Sequence, residues 1–277
     1  MIIVLNGADF SANNIGKIEI PKVPSSNVVA LNNAITRELT KSQMIAIDDF
    51  IESLQSNNIW DKIEQLYIPS MAYTQNGDVK DCFIDIKASW GNEISYNSEI
   101  ESKKANYRCL NGGIANINTD FSYVEINKGL LVSKNIQNVE DCHVLIYNIN
   151  YNSAQRTTNV FLQTEWNKYC PNIYIEDTNA IRFLVSSSTL SLTGSIDNAV
   201  IGLSTSSNNA NAVYGENSKT VPLSEFGSDI NGFTSPTYFG PQNTNQTIGL
   251  ISTGKGFDLQ TLLKYKECIN KLMSKIL

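Results

Sequence analysis

Two amphipathic helical stripes frame almost everything else in this chain, and that frame leaves few folds open. Thr40 is followed three residues later by Gln43, the spacing of a capping box. Met44, Ile47, Ile51 and Leu54 then fall on one helical face, with Asp48, Asp49 and Glu52 largely off it. Asn57-Asn58 suits the helix end, and Ile59, Trp60, Ile63 and Leu66 continue an apolar face through a second short helical turn that stops at Pro69. At the far end Asp258 is a candidate N-cap, and Leu259, Leu262, Leu263, Ile269, Leu272, Met273 and Ile276 form the stripe of a last helix. Between the two, from Asp81 onward, the period of hydrophobicity changes to two. Strands are expected over 82–88, 107–110, 123–126, 129–133, 142–148, 158–165, 172–176, 180–186, 189–194, 199–204, 212–215, 237–240 and 247–252. Asn, Ser, Gly and Thr break these runs at the spacing of a sandwich or jelly roll. Segments 204–211 and 215–239 read as polar loops, the second interrupted by Pro222, Gly227, Gly232 and Pro236.

Residues 1–30 stand apart as a small β element and a linker. Pro21 and Pro24 impose an extended path through Ser25, Ser26 and Asn27. Two readings stay open: an edge strand of the main sandwich, or an anchoring and oligomerising arm whose apolar residues are Leu5, Phe10, Ile15, Ile18 and Ile20. Residues 31–277 are expected to form one β-sandwich domain with flanking helices, a size compatible with a single sandwich.

Composition removes several function classes. The net charge is −6 and charged residues make up only 17% of the chain, so no clustered basic stripe is present to displace counterions from a nucleic acid. Roughly one residue in eight is Asn, and Lys greatly outnumbers the four arginines Arg37, Arg108, Arg156 and Arg182. No run approaches the length of a membrane span. Met1–Leu5 is apolar but has no basic flank or cleavage site, so synthesis without Sec export is expected. The five cysteines (Cys82, Cys109, Cys142, Cys170 and Cys268) are odd in number and widely spaced. That pattern predicts reduced, mostly buried thiols rather than a metal or disulfide framework. No cofactor is expected.

The stretch Phe50–Pro69, containing Ile59-Trp60-Asp61-Lys62-Ile63 and Leu66-Tyr67-Ile68-Pro69, resembles the opening helix of a bacteriophage virion module. The same family pattern continues with Asp78-Val79-Lys80, the turn Leu110-Asn111-Gly112-Gly113, and Ile251-Ser252-Thr253-Gly254-Lys255-Gly256-Phe257 followed by Leu262, Tyr265, Ile269 and Leu272. The opening Leu5–Ile18 is similar to the N-termini of virion proteins of phages of gut Bacteroidetes, including crAss-like phages. The resemblance spans residues 40–277 at both ends, while 114–240 match only in texture. It implies a concanavalin A-like sandwich in a head fibre, capsid decoration or tail appendage, located in the virion. It further implies a homo-oligomer, dimer or trimer, with other virion proteins as partners and host-surface or mucus glycans as possible ligands.

Chemistry is weighed on the residues themselves. Glucanases of this fold need paired carboxylates on one strand face, and no Glu-x-Asp-x-x-Glu triplet occurs here. Asp81 and Asp85 are four apart near a turn, Glu125 stands alone, and Glu176-Asp177 point to opposite faces. His143 is the single histidine, next to Cys142 at the start of an apolar run, and reads as structural. The expectation is a protein without enzymatic activity and without a metal site. Stacking on a sugar needs an exposed ring with polar groups beside it. Trp90, Trp166 and Tyr238 near loops or strand ends are the candidate glycan contacts. A module without ligand, and a polysaccharide depolymerase, remain the alternatives.

Overall fold

The computed structural model describes residues 21–75, 77–98, 107–116, 130–136, 140–151, 159–164, 172–177, 180–185, 188–226, 235–239 and 246–277. The expected anchor residues Leu5, Phe10, Ile15, Ile18 and Ile20, and Trp166, lie outside these. Five helices are described: α1 (Ser26–Ala34), α2 (Lys41–Ser56), the single turns α3 (Pro69–Ala72) and α4 (Ile86–Ser89), and α5 (Leu259–Ile276). The strands are β1 (Ile63–Tyr67), β2 (Tyr107–Leu110), β3 (Gly113–Asn116), β4 (Leu130–Ile136), β5 (Cys142–Tyr151), β6 (Asn159–Thr164), β7 (Asn172–Asp177), β8 (Ala180–Val185), β9 (Ser188–Thr193), β10 (Ala199–Ser206), β11 (Asn209–Tyr214), β12 (Asn217–Pro222), β13 (Ser235–Phe239) and β14 (Gln246–Gly254).

All pairings are antiparallel. One sheet runs β12-β11-β10-β5-β14-β3-β2, with β1 added to the edge of β14 beyond β3, and the other runs β4-β13-β6-β7-β8-β9. The edge strands of the second sheet lie on the first: β9 against β11 and β12, and β4 against β14 and β1. The fold class is the expected one, a mainly β sandwich of antiparallel sheets with a helix before it and a helix after it.

The central strands do not alternate as a two-layer sandwich predicts. Residues 142–149 of β5 and 247–254 of β14 are buried at every successive position. The second sheet covers one face, while α5 packs on β10 and β11, α2 on α5 and α3 on β14. A strand covered on both sides has no solvent face to carry polar residues. On the neighbouring strands β10 and β11, buried polar side chains are fastened to the turn that leads into α5. Ser204 accepts from the Phe257 amide at 2.6 Å and donates back to the Phe257 carbonyl at 3.1 Å, and the Asn211 amide reaches the same carbonyl at 3.1 Å.

Helix ends follow their capping residues. The Thr40 hydroxyl accepts from Gln43 N at 3.2 Å and Gln43 Oε1 accepts from Thr40 N at 3.1 Å, completing the capping box. Asp258 accepts from Thr261 N at 2.7 Å. Asn57 is the C-cap of α2, and Asn58 at φ 56° turns the chain out of it. The last turn of α5 is held from outside: Ile276 O accepts from Arg37 at 3.3 Å and from Gln43 at 3.2 Å. A guanidinium there also answers the negative end of the helix dipole. Arg37→Ala is expected to lower stability by about 1–2 kcal/mol in urea unfolding, because two carbonyls, those of Ser70 and Ile276, lose a charged donor together.

Five local expectations are corrected. Residues 59–68 do not continue as a helical face: Trp60–Lys62 form one 3-10 turn and β1 follows, paired with Ile251–Gly254 of β14. A short apolar run fits either period, and the sheet edge decides. Residues 82–88 are not a strand but a 3-10 turn (Val79–Phe83) and α4, because Asp78 caps Lys80 N at 3.0 Å and Asp85 caps Lys87 N at 3.0 Å. The expected loop 204–211 shrinks to Ser207-Asn208, at φ 49° and 64°, between the paired Ser206 and Asn209. Residues 215–239 contain β12 and β13. The turn at Asn111-Gly112 (φ 45° and 91°) is of the same two-residue kind, whose positive φ angles match the twist of the strands it joins. Near the N-terminus the extended path ends at Ser25, whose hydroxyl caps α1 on Val28 N at 3.3 Å. Helix α1, with Val28 and Leu31 buried, runs across residue 30.

Candidate functional site

The candidate site grows from the two segments that the sequence misassigns. Helix α4 ends at Trp90, whose amide donates to Ile86 O at 3.0 Å. Gly91 follows at φ 79°, where a side chain would meet nothing within 4 Å, so the chain turns over open space. Trp60 opens the 3-10 turn after α2. The two indoles meet edge to face, with centroids 6.4 Å apart and planes at 67°. Both are half-buried, packed against the core on one side and open on the other.

Lys87 ties the pair together. Its ammonium donates to Trp60 O at 2.7 Å and lies 4.3 Å from the centre of the Trp60 ring. Burial lowers the Lys87 pKa, opposed by the charges of Asp61 and Asp85. Asp85 sets the geometry underneath by accepting from the amides of Leu66, Lys87 and Ala88 at 3.3, 3.0 and 3.3 Å. Burial raises its pKa and these amides oppose the rise. Asp61 and Asn92 are exposed beside the indoles: the Asp61 charge acts on Lys87, and the Asn92 amide donates to Trp90 O at 3.5 Å. The corner thus sets the partly exposed Trp90 indole beside a Trp60 ring that carries the Lys87 ammonium, with planar polar groups next to them, a composition able to stack on a ring and hydrogen-bond its hydroxyls.

Of the three candidate contacts, Trp90 is placed here. Tyr238 belongs to β13, where its backbone pairs with Gln163 and Leu131, and its side chain lies outside the described part. Trp60 was expected on a core face and instead shares the corner. Its aromatic neighbour is remote in sequence, so no local signal marks it.

Two further candidates, Asp81 and His143, are engaged in contacts within the fold. Asp81 accepts from the Thr36 amide and hydroxyl, each at 2.7 Å, while Asp85 is engaged by the amides of Leu66, Lys87 and Ala88. His143 is fully buried in the first sheet. Its Nδ1 pairs with Lys255 O at 2.6 Å and its Nε2 with Ser252 Oγ at 2.9 Å, and the Tyr265 hydroxyl donates to that same Ser252 oxygen at 2.8 Å. The ring, the two hydroxyls and the carbonyl form one buried, closed polar network. Among the described residues no group of three His, Cys, Asp or Glu is placed to hold a metal ion, and no helix is long and apolar enough to cross a membrane.

The fold is that of a mainly β protein with two antiparallel sheets and a helical layer on the first. No protein-family model matches the sequence, and no curated protein matches it either. Among solved structures, Trypanosoma rangeli sialidase in complex with sialic acid is similar at a TM-score of 0.46 and 9% identity, over 83% of this chain and 39% of that one. The botulinum neurotoxin serotype D binding domain is similar at a TM-score of 0.49 and 10% identity, over 76% of this chain and 53% of that one. This chain therefore spans less than two thirds of either neighbour.

Proposed function

We propose that this chain is a non-enzymatic structural protein of a phage virion, a head fibre, capsid decoration or tail appendage, that displays its sandwich to host-surface or mucus glycans. The virion assignment rests on the sequence resemblance at Phe50–Pro69 and Ile251–Leu272. The glycan reading rests on one observation, the half-buried Trp60–Trp90 pair with Lys87 and Asn92 beside it. Residues 1–20 serve as the arm that contacts other virion proteins or further copies of the chain. Repetition by symmetry raises avidity for a ligand held weakly by one copy.

The test is a glycan array probed with the full chain beside Trp60→Ala and Trp90→Ala, with folding checked by circular dichroism. A sugar-stacking corner predicts retention of a defined glycan class and about a tenfold or greater loss in either variant. Retention unchanged in both variants would move the site elsewhere, and no retention at all would leave a purely structural module. The arm is tested separately by light scattering on the full chain and on a chain beginning at Pro21. That cut spares α1, which packs through Val28 and Leu31. The expected outcome is a discrete dimer or trimer that dissociates when the arm is removed.

A further inference from the structure

The fold brings together two thiols that lie 27 residues apart in sequence. Cys82 sits in the 3-10 turn Val79–Phe83 and is buried, while Cys109 lies on edge strand β2 and is half-buried. Their sulfurs are 3.7 Å apart. Around them the Phe83 and Tyr107 rings already join the same two elements edge to face at 5.4 Å. A covalent S–S bond of about 2.05 Å therefore asks for roughly 1.6 Å of further approach between elements already packed on each other.

We propose that Cys82 and Cys109 form a redox-responsive dithiol, a modification site that closes to an intramolecular disulfide under a hydroperoxide or a disulfide oxidant. Cys109 is the entry thiol because it alone of the pair reaches solvent. The hydrogen bond from Cys82 holds the Cys109 thiol below its usual pKa, while that bond and burial push Cys82 up. The solvent-facing sulfur thus carries the larger thiolate fraction, as the attacking member of such a pair must. With hydrogen peroxide, the Cys109 thiolate attacks one oxygen, an S–O bond forms, the O–O bond breaks and hydroxide leaves. Cys82 sulfur then attacks the Cys109 sulfenic sulfur, the S–S bond forms, the S–O bond breaks, and the Cys82 proton departs with the hydroxyl as water. Both sulfurs are oxidised by one electron each, and the peroxide is reduced to two waters. With glutathione disulfide the same attack order gives two reduced glutathiones. The closed bond would tie β2 to the turn beneath it and close a loop whose freedom in the unfolded chain is then lost. This holds whatever the sandwich binds.

The experiment uses the full chain with Cys268→Ser, which removes the other half-buried thiol among the described residues, exposed to hydrogen peroxide or glutathione disulfide and then mapped by mass spectrometry. The expected result is an intact mass lower by two hydrogens, a Cys82–Cys109 linked peptide, reversal by dithiothreitol, and a Tm several degrees above the reduced form. Adding Cys109→Ser abolishes the link and leaves Cys82 a free thiol. The proposal is overturned if Cys109 accumulates a glutathione adduct or a sulfinic acid while Cys82 remains free, or if the link forms between other cysteines. The peptide map of the Cys109-containing protein decides this even if the double variant fails to fold.

Discussion

Gly256→Ala is expected to destabilise the protein by about 3 kcal/mol or more, the range of substitutions that force a backbone to move. A Cβ at this position would stand 1.8 Å from the Thr205 carbonyl oxygen and 2.9 Å from Asp141 Oδ1. Neither neighbour can yield cheaply. Thr205 belongs to β10, locked between β5 and β11, and Asp141 accepts the Gly256 amide at 2.9 Å. The Gly256 carbonyl is itself held by the Lys62 ammonium at 2.9 Å. Movement of residue 256 would also drag Phe257, whose amide and carbonyl both bond Ser204. Urea unfolding followed by fluorescence measures the loss. A change within about 0.5 kcal/mol of wild type would show that the segment between β14 and α5 shifts freely.

The second large effect is a loss of stability in mild acid, centred on His143. Burial depresses its pKa from 6.5 to about 4, a fall that the Lys255 carbonyl only partly offsets and the Lys62 charge adds to. In the unfolded chain the imidazole binds its proton near 6.5, whereas the folded protein resists it until about pH 4. Between those values the unfolded state holds more protons. Stability from this group is therefore complete above pH 6.5 and declines as pH falls toward 4, by about 3 kcal/mol in all. Asp85 and Glu64, whose pKa values burial raises, act with the opposite sign, their contribution being lost as pH rises. Comparison with His143→Gln, which does not titrate, isolates the histidine. Because this is the single histidine of the chain, its ring protons can also be followed directly by NMR in the folded protein. Titration near pH 6.5 would refute the sealed network, and resonances unchanged down to about pH 5 would support it.

Both effects arise at one junction, where the end of β14 turns into α5 over the start of β5. Lys62, Asp141, His143, Ser204 and Phe257 meet there from four separate segments, and each bonds backbone of the 255–257 turn or, like Phe257, lies within it. The aromatic corner of Trp60 and Trp90 is built at the other end of the same 3-10 turn that supplies Lys62. The proposed ligand site and the stability of the helical layer thus share one short element. Substitutions at Trp60 need a folding control for that reason.

Much of the framework was legible because its signals are local. Thr40 with Gln43, Asn57 with Asn58, and Asp258 mark helix ends through hydrogen bonds made within one turn, so the helices α2 and α5 stand where the stripes place them. Asn111-Gly112 was legible as a turn because only residues tolerant of positive φ serve in a two-residue hairpin. Alternation located β2, β5, β7, β8, β9 and β10 to within a few residues. It failed at Ile63–Tyr67, whose apolar residues suit a helix and a strand equally until β14 offers an unpaired edge. It failed again at residues 82–88, where Asp78 and Asp85 cap short turns that no period reveals, and at Ser207-Asn208, whose polar flanks hid a continuous hairpin.

The candidate site was legible in one residue only. Trp90 could be singled out as a ring near a turn, but nothing in the chain announces that Trp60 stands against it, that Lys87 covers Trp60, or that Cys82 and Cys109 lie in contact. By itself the sequence determined the boundaries of α2 and α5, the mainly β class and the structural nature of the lone histidine, since these rest on caps, periodicity and composition carried by neighbouring residues. The tertiary structure alone decided the burial of the central strands β5 and β14 on both faces, the strand at 63–67, the indole pair and the dithiol. Each depends on which segments the packed core brings together, and that is set by the burial of whole faces rather than by the preference of any one stretch of chain.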